Sequence, residues 1–75
     1  MIQDENLKNI IRDRLIKCRL EREMTQTELG KIVGKSKTAI ASWEQGLSMP
    51  DVATLYKLAN FYGKSINWMY GEEES

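Results

Sequence analysis

Histidine is absent from this 75-residue chain, and cysteine and proline occur once each. With one thiol and no imidazole, zinc and copper sites have almost no ligands to draw on. The commonest acid–base catalyst is missing as well. The lone Cys18 excludes an internal disulfide and fits a reducing, cytoplasmic setting. No apolar run approaches the roughly 20 residues of a membrane span, and the opening MIQDENLKN lacks a signal-peptide profile. A chain of this size buries only about 60% of the surface its unfolded form exposes. Its core is too thin to enclose a large active site. Asp13, Asp51 and the glutamates form no pair that spacing would converge, and no nucleophile has an evident base, so an enzyme is not expected. Nothing calls for a metal, a cofactor, a small-molecule ligand or a membrane.

Net charge is also lacking: eleven basic residues balance eleven acids. The distribution matters more than the sum. Glu72, Glu73 and Glu74 lie in the closing GEEES, and without them eight acids face eleven bases, a formal +3. Six bases fall between Lys8 and Arg22 and three more between Lys31 and Lys37. Residues 1–71 therefore read as one domain and 72–75 as an acidic tail or the start of a linker.

What the chain does have is helical periodicity and well-placed glycines. Leu7, Ile10, Ile11, Leu15 and Cys18 recur at helical spacing and predict a first helix over 5–22. Thr25 with Glu28 three residues on is a capping box, and Met24 with Leu29 is its hydrophobic staple. The second helix then runs to about Val33 with Leu29, Ile32 and Val33 inward. GKIVGKS, Gly30 to Ser36, imitates a phosphate-binding loop, but three residues separate its glycines where that loop needs four, and a helix precedes it instead of a strand. Gly34 instead falls where a helix closes in a left-handed conformation. Ser36 caps a third helix, KTAIASWEQ, ended by Gly46. Pro50 and Asp51 start a fourth, with Val52, Leu55, Leu58, Ala59 and Tyr62 as its inner face and Gly63 as its stop. Ser65 caps a short fifth, INWMY, closed by Gly71. The chain reads as all-α, with no strand, repeat or internal linker.

Two short helices joined by a glycine-bearing turn describe a helix-turn-helix. In the third helix Ile40 and Trp43 share one face, while Lys37, Thr38, Ala41 and Ser42 share another that is too weakly apolar for core. Small and hydrogen-bonding side chains on an outer face suit base edges in a major groove; chemistry alone leaves an ordinary solvated face equally open. Trp43 could stack on a base, but its spacing from Ile40 favours the core.

The segment MTQTELGKIVGKSKTAIASWEQGLSMPDVATLYKLANFYGKSINWMYG resembles the DNA-binding domain of the lambda-repressor-like (XRE) family, especially the N-terminal domains of lambdoid phage repressors. The matching residues are Arg19, Thr25-Gln26, Glu28-Leu29-Gly30, Gly34, Ser36, Ile40, Trp43-Glu44, Gly46, Pro50 and Leu58-Ala59 followed by Gly63. The resemblance spans residues 7–71. It implies a compact five-helix bundle whose second and third helices bind double-stranded DNA, with Lys37, Thr38, Ala41 and Ser42 as base readers.

The same resemblance places Thr25, Gln26, Lys35, Ser36, Gln45, Gly46 and Ser48 near phosphate, the last loop acting through main-chain N–H groups. Lys31 and Lys35 equally suit a plain solvated surface. Arg19 and Glu44 match an ion pair between the first and third helices, structural before anything else. Trp68, Met69 and Tyr70 crowd a helix too short to bury them all, and in the resembled repressors this region contributes to dimerisation; folding back onto the first helix stays open. Two departures stand out. Lys37 and Thr38 replace the Asn or Gln pairs common at the reading positions, which leaves the operator open. Lys64 stands where an apolar residue is usual, which loosens the core edge.

The resemblance implies a transcriptional regulator, most readily a repressor that binds a pseudo-palindromic operator as a homodimer. An antitoxin or adaptor, whose main partner is a protein, uses the same fold. A neighbouring toxin-like gene would favour the latter.

Overall fold

The computed structural model describes residues 4–72. Five helices follow one another: α1 (Asp4–Glu21), α2 (Gln26–Val33), α3 (Lys37–Glu44), α4 (Val52–Tyr62) and α5 (Ile66–Met69). There is no strand among the described residues. Glu73 and the rest of the acidic tail lie outside them, as do the first three residues.

The core is one cluster to which every helix contributes: Ile11, Leu15 and Cys18 from α1, Leu29 and Val33 from α2, Ile40 and Trp43 from α3, Leu55, Leu58, Ala59 and Tyr62 from α4, and Trp68 and Met69 from α5. Long α1 packs along α3 and α5, while α2 meets α3 and α4. Burial pushes the Cys18 thiol above its ordinary pKa, which keeps it protonated and unreactive.

Each helix ends the same way. A residue two or three beyond the helix end returns its N–H to a carbonyl five residues back: Met24 to Arg19 at 3.1 Å, Lys35 to Gly30 at 2.8 Å, Leu47 to Ser42 at 3.0 Å, Lys64 to Ala59 at 2.8 Å and Glu72 to Asn67 at 2.9 Å. This closure needs a left-handed residue at its bend. Gly34 (φ 71°) and three other glycines supply it, but α1 closes on Glu23 at φ 55°.

The glycines of GKIVGKS now separate into two roles. Gly34 makes the bend. Gly30 has an ordinary backbone but is buried, and a Cβ there would run into the carbonyl oxygen of Lys35. Helix α2 and the turn that follows it are thus pressed together at a distance that only glycine admits.

Three expectations about inward faces are corrected. Ile32 is exposed, because Gly30 occupies the buried arc of α2 beside Leu29 and Val33. Val52 is exposed, and Thr54 is buried in its place, its hydroxyl satisfied by the Asp51 carboxylate. Trp68 and Met69, expected as surplus apolar surface for a partner, are fully buried, and Tyr70 and Ile66 pack partly against the same core. The α5 helix achieves this because charged side chains complete its cover: Arg14 lies 4.5 Å and Lys64 4.7 Å from the Trp68 ring centre. Lys64, out of place as a core residue, thereby acts as an amphipathic lid.

Candidate nucleic-acid interface

The N-terminus of α2 is built by its capping box. Thr25 Oγ1 accepts from the Glu28 N–H at 3.0 Å, and Glu28 Oε1 accepts from the Thr25 N–H at 2.8 Å. Those hydrogen bonds hold the Glu28 carboxyl below the usual carboxylate range. The first two N–H groups, of Gln26 and Thr27, have no acceptor within the helix and point to where an anion would sit.

Gln26 is not a loose side chain. Its Nε2 donates to Glu44 Oε1 at 3.1 Å. A carboxylate only accepts, so this contact fixes which end of the amide turns inward and leaves one Nε2 hydrogen for an outside acceptor. Glu44 is held in turn by Arg19, whose Nε donates to Oε2 at 2.7 Å and Nη2 to Oε1 at 2.8 Å. Arg19 Nη1 donates to the Met24 carbonyl at 2.7 Å. Only 15% of the Arg19 and 6% of the Glu44 side-chain surface is exposed, and the hydrogen bonds to Glu44 raise the guanidinium pKa still further. With three N–H groups spent inside the chain, Arg19 is a brace between α1, α3 and the start of α2.

Helix α3 is held from within and bare outside. Ser36 Oγ caps it by accepting from the Ala39 N–H at 3.1 Å. Ile40 and Trp43 are buried. Lys37 and Thr38 are exposed and bonded to no side chain, while Ala41 and Ser42 are half-buried beside them. Ser42 Oγ lies 2.7 Å from Ser48 Oγ, a hydrogen bond that closes the following loop against the helix. Lys35 is exposed in the turn, with Asp51 Oδ1 3.9 Å from its Nζ.

The loop after α3 departs from the expected picture in one respect. The N–H groups of Gln45, Gly46 and Leu47 are already bonded to the carbonyls of Ala41, Trp43 and Ser42. What this loop can still offer a phosphate is the exposed Gln45 amide and the main-chain N–H and hydroxyl of Ser48. The structure adds a residue that sequence reasoning passed over. Arg12 lies against Gly46, at the C-terminal end of α3, with Nη1 donating to Asn9 at 3.1 Å and Nε 2.9 Å from Asp13. Nothing in the sequence sets it apart from its basic neighbours on α1; only the α1–α3 crossing does.

Thr25 and Gln26 thus open α2, Ser36, Lys37 and Thr38 open α3, and Lys35 lies in the three-residue turn between the two helices. A family model described as helix-turn-helix (HTH_3) matches residues 15–69, which contain that whole unit. The chain belongs to the HTH_3 helix-turn-helix family. Over 57 residues, 76% of this chain, it is 33% identical to the cryptic phage CTXphi transcriptional repressor RstR of Vibrio cholerae, covering 51% of that protein. It is 32% identical over 57 residues to the SPbeta prophage-derived uncharacterized HTH-type transcriptional regulator YonR of Bacillus subtilis, covering 53% of it. The chain spans about half the length of these relatives. No solved structure matches. The XRE-type resemblance and the all-helical fold expected from the sequence both stand with this family membership. No helix among the described residues is long and apolar enough to cross a membrane.

Proposed function

We propose that this helix-turn-helix domain is a phage-type transcriptional repressor that binds a pseudo-palindromic operator in duplex DNA as a homodimer, inside the cell. The observation that carries the reading is the outer face of α3. Lys37 and Thr38 stand exposed with no internal partner, on a helix whose opposite face is locked by Ile40 and Trp43. Beside it, Gln26 is held with an N–H to spare at an uncapped pair of main-chain donors. That arrangement suits phosphate at α2 and base edges at α3. The named repressor and regulator relatives support the same reading. Repression would be steric, a bound dimer covering an overlapping promoter.

The test is selection of bound sites from random duplex DNA, followed by a salt titration. Selected half-sites should lie roughly 34–36 Å apart. With six to ten phosphate contacts, affinity should fall by roughly 10³–10⁵ between 50 and 200 mM salt. Salt-independent binding, or no enriched sequence, would remove the proposal.

A further inference from the structure

A phosphate is best gripped by a guanidinium, whose planar fork matches the phosphate oxygens and stays charged at any working pH. The chain has four arginines. Arg19 spends three N–H groups on Glu44 and Met24. Arg14 lies over the Trp68 ring, and Arg22 lies over the Phe61 and Tyr62 rings while donating to the Phe61 carbonyl at 3.2 Å. Arg12 alone lies at the exit of α3 with donors to spare. Its Nε donates to Asp13 Oδ1 at 2.9 Å and its Nη1 to Asn9 Oδ1 at 3.1 Å. A guanidinium carries five N–H groups, so Nη2 keeps both its hydrogens and Nη1 keeps one, none with an acceptor among the described residues. The side chain is 32% exposed, so those donors can be reached from outside. We propose that Arg12 grips a DNA phosphate beside the C-terminal end of α3. The proposal rests on the DNA-binding reading above and adds to it a contact made by α1.

The seat of Arg12 is built from two elements. Gly46 adopts φ 76°, and a Cβ on it would lie 3.4 Å from Arg12 Nη1 and 3.6 Å from Arg12 Cδ. The arginine therefore packs on bare backbone at the end of the reading helix. Asn9, less than a turn earlier on α1, and Asp13 hold the guanidinium in place before any DNA arrives. Little side-chain freedom is then lost when a phosphate binds. The loop that carries Gly46 supplies further donors: the exposed Gln45 amide on one side, and the N–H and hydroxyl of Ser48 on the other. Asp13 balances the charge of Arg12, so what Arg12 offers is a placed set of hydrogen bonds and not a share in a broad positive field. That balance also makes the contact separable by experiment, because the cation and its partner can be removed together.

The experiment measures binding of the parent, Arg12→Gln/Asp13→Asn and Arg12→Lys to a selected duplex and to a random one, between about 50 and 200 mM salt, with melting temperatures recorded alongside. The double variant keeps the parent's net charge at this spot. It should bind both duplexes roughly tenfold more weakly, with a salt slope lower by about 0.9. Its base preference should be unchanged, because phosphate contacts carry no sequence information. Arg12→Lys should recover the slope without the full affinity, since a point charge lacks the fork. Parent-like affinity and slope in the double variant would overturn the contact. So would a lowered melting temperature with the slope unchanged, which would make Arg12 only a brace for the Gly46 loop. The operator reading fails separately, if the parent enriches no sequence; the slope on the random duplex then still decides Arg12. A parent that binds no duplex overturns both.

Discussion

Arg19 and Glu44 face each other through two parallel hydrogen bonds, 2.7 and 2.8 Å long, that tie the last turn of α1 to the last residue of α3. They stand 25 residues apart in sequence, and almost all of both side chains is withdrawn from water. Removing either partner strands a charge in that setting. Arg19→Ala and Glu44→Ala should each cost about 3–5 kcal/mol, against a change within about 0.5 kcal/mol for exposed Lys57→Ala. The double replacement Arg19→Met/Glu44→Leu should lie closer to the parent than either single one, since no charge is then left alone. Urea melts of the four variants check this; equal, small losses in all would contradict it.

Among the described residues Glu23 is the one non-glycine that closes a helix in the left-handed region, at φ 55°. A side chain pays roughly 1–2 kcal/mol for that conformation. Glu23→Gly should therefore raise stability by about 1 kcal/mol, or the melting temperature by roughly 4–8 °C in a domain this small. Thermal melts decide it, and a lower melting temperature would show that Glu23 compensates elsewhere.

Tyr62 is buried with its hydroxyl lacking a partner, and burial, before any neighbouring charge, pushes its pKa from 10.0 to about 12. The folded state thus holds the phenolic proton more tightly than the unfolded chain. Its contribution is complete below pH 10 and is lost as pH rises from 10 to about 12, by roughly 2–3 kcal/mol at the top of that window. Tyr62→Phe should be near neutral at pH 7, since it removes an unsatisfied group, and should flatten the alkaline loss. Stability curves for both proteins between pH 8 and 12 check the sign; a parallel decline would place the loss at other groups.

Lys37 opens α3, exposed and free of ion pairs. A lysine there can donate to guanine O6 and N7. Lys37→Ala should cost about 1–3 kcal/mol of binding and relax preference at one base pair per half-site. Weaker binding to every sequence, with a salt slope lower by about one, would instead put Lys37 on a phosphate.

The sequence exposes best what short-range chemistry dictates. Thr25 with Glu28, Ser36, Ser65 and the closing glycines act over three or four residues, and each sits where its spacing places it. The buried arcs of α2 and α4 were less legible. Two turns of helix allow more than one apolar arc, and the choice was made by Gly30, whose missing side chain admits the Lys35 carbonyl, and by Thr54, whose hydroxyl is satisfied locally by Asp51. The burial of Trp68 was hidden for a related reason: its cover comes from Arg14 and Lys64, which read as solvated charges until α1 and α5 are laid together. At the interface, the exposed α3 face follows from the Ile40–Trp43 spacing, but the hold of Glu44 on Gln26 spans eighteen residues and appears only in three dimensions.

The division of labour between the buried braces and the exposed face of α3 has an evolutionary consequence. Substitutions at Gly30, Arg19 or Glu44 damage the scaffold, whereas exposed positions such as Lys37 and Thr38 change stability by only about 0.5 kcal/mol either way. If Lys37 and Thr38 read bases as proposed, descendants of this chain can drift at two neighbouring codons and come to recognise different DNA without passing through an unfolded ancestor.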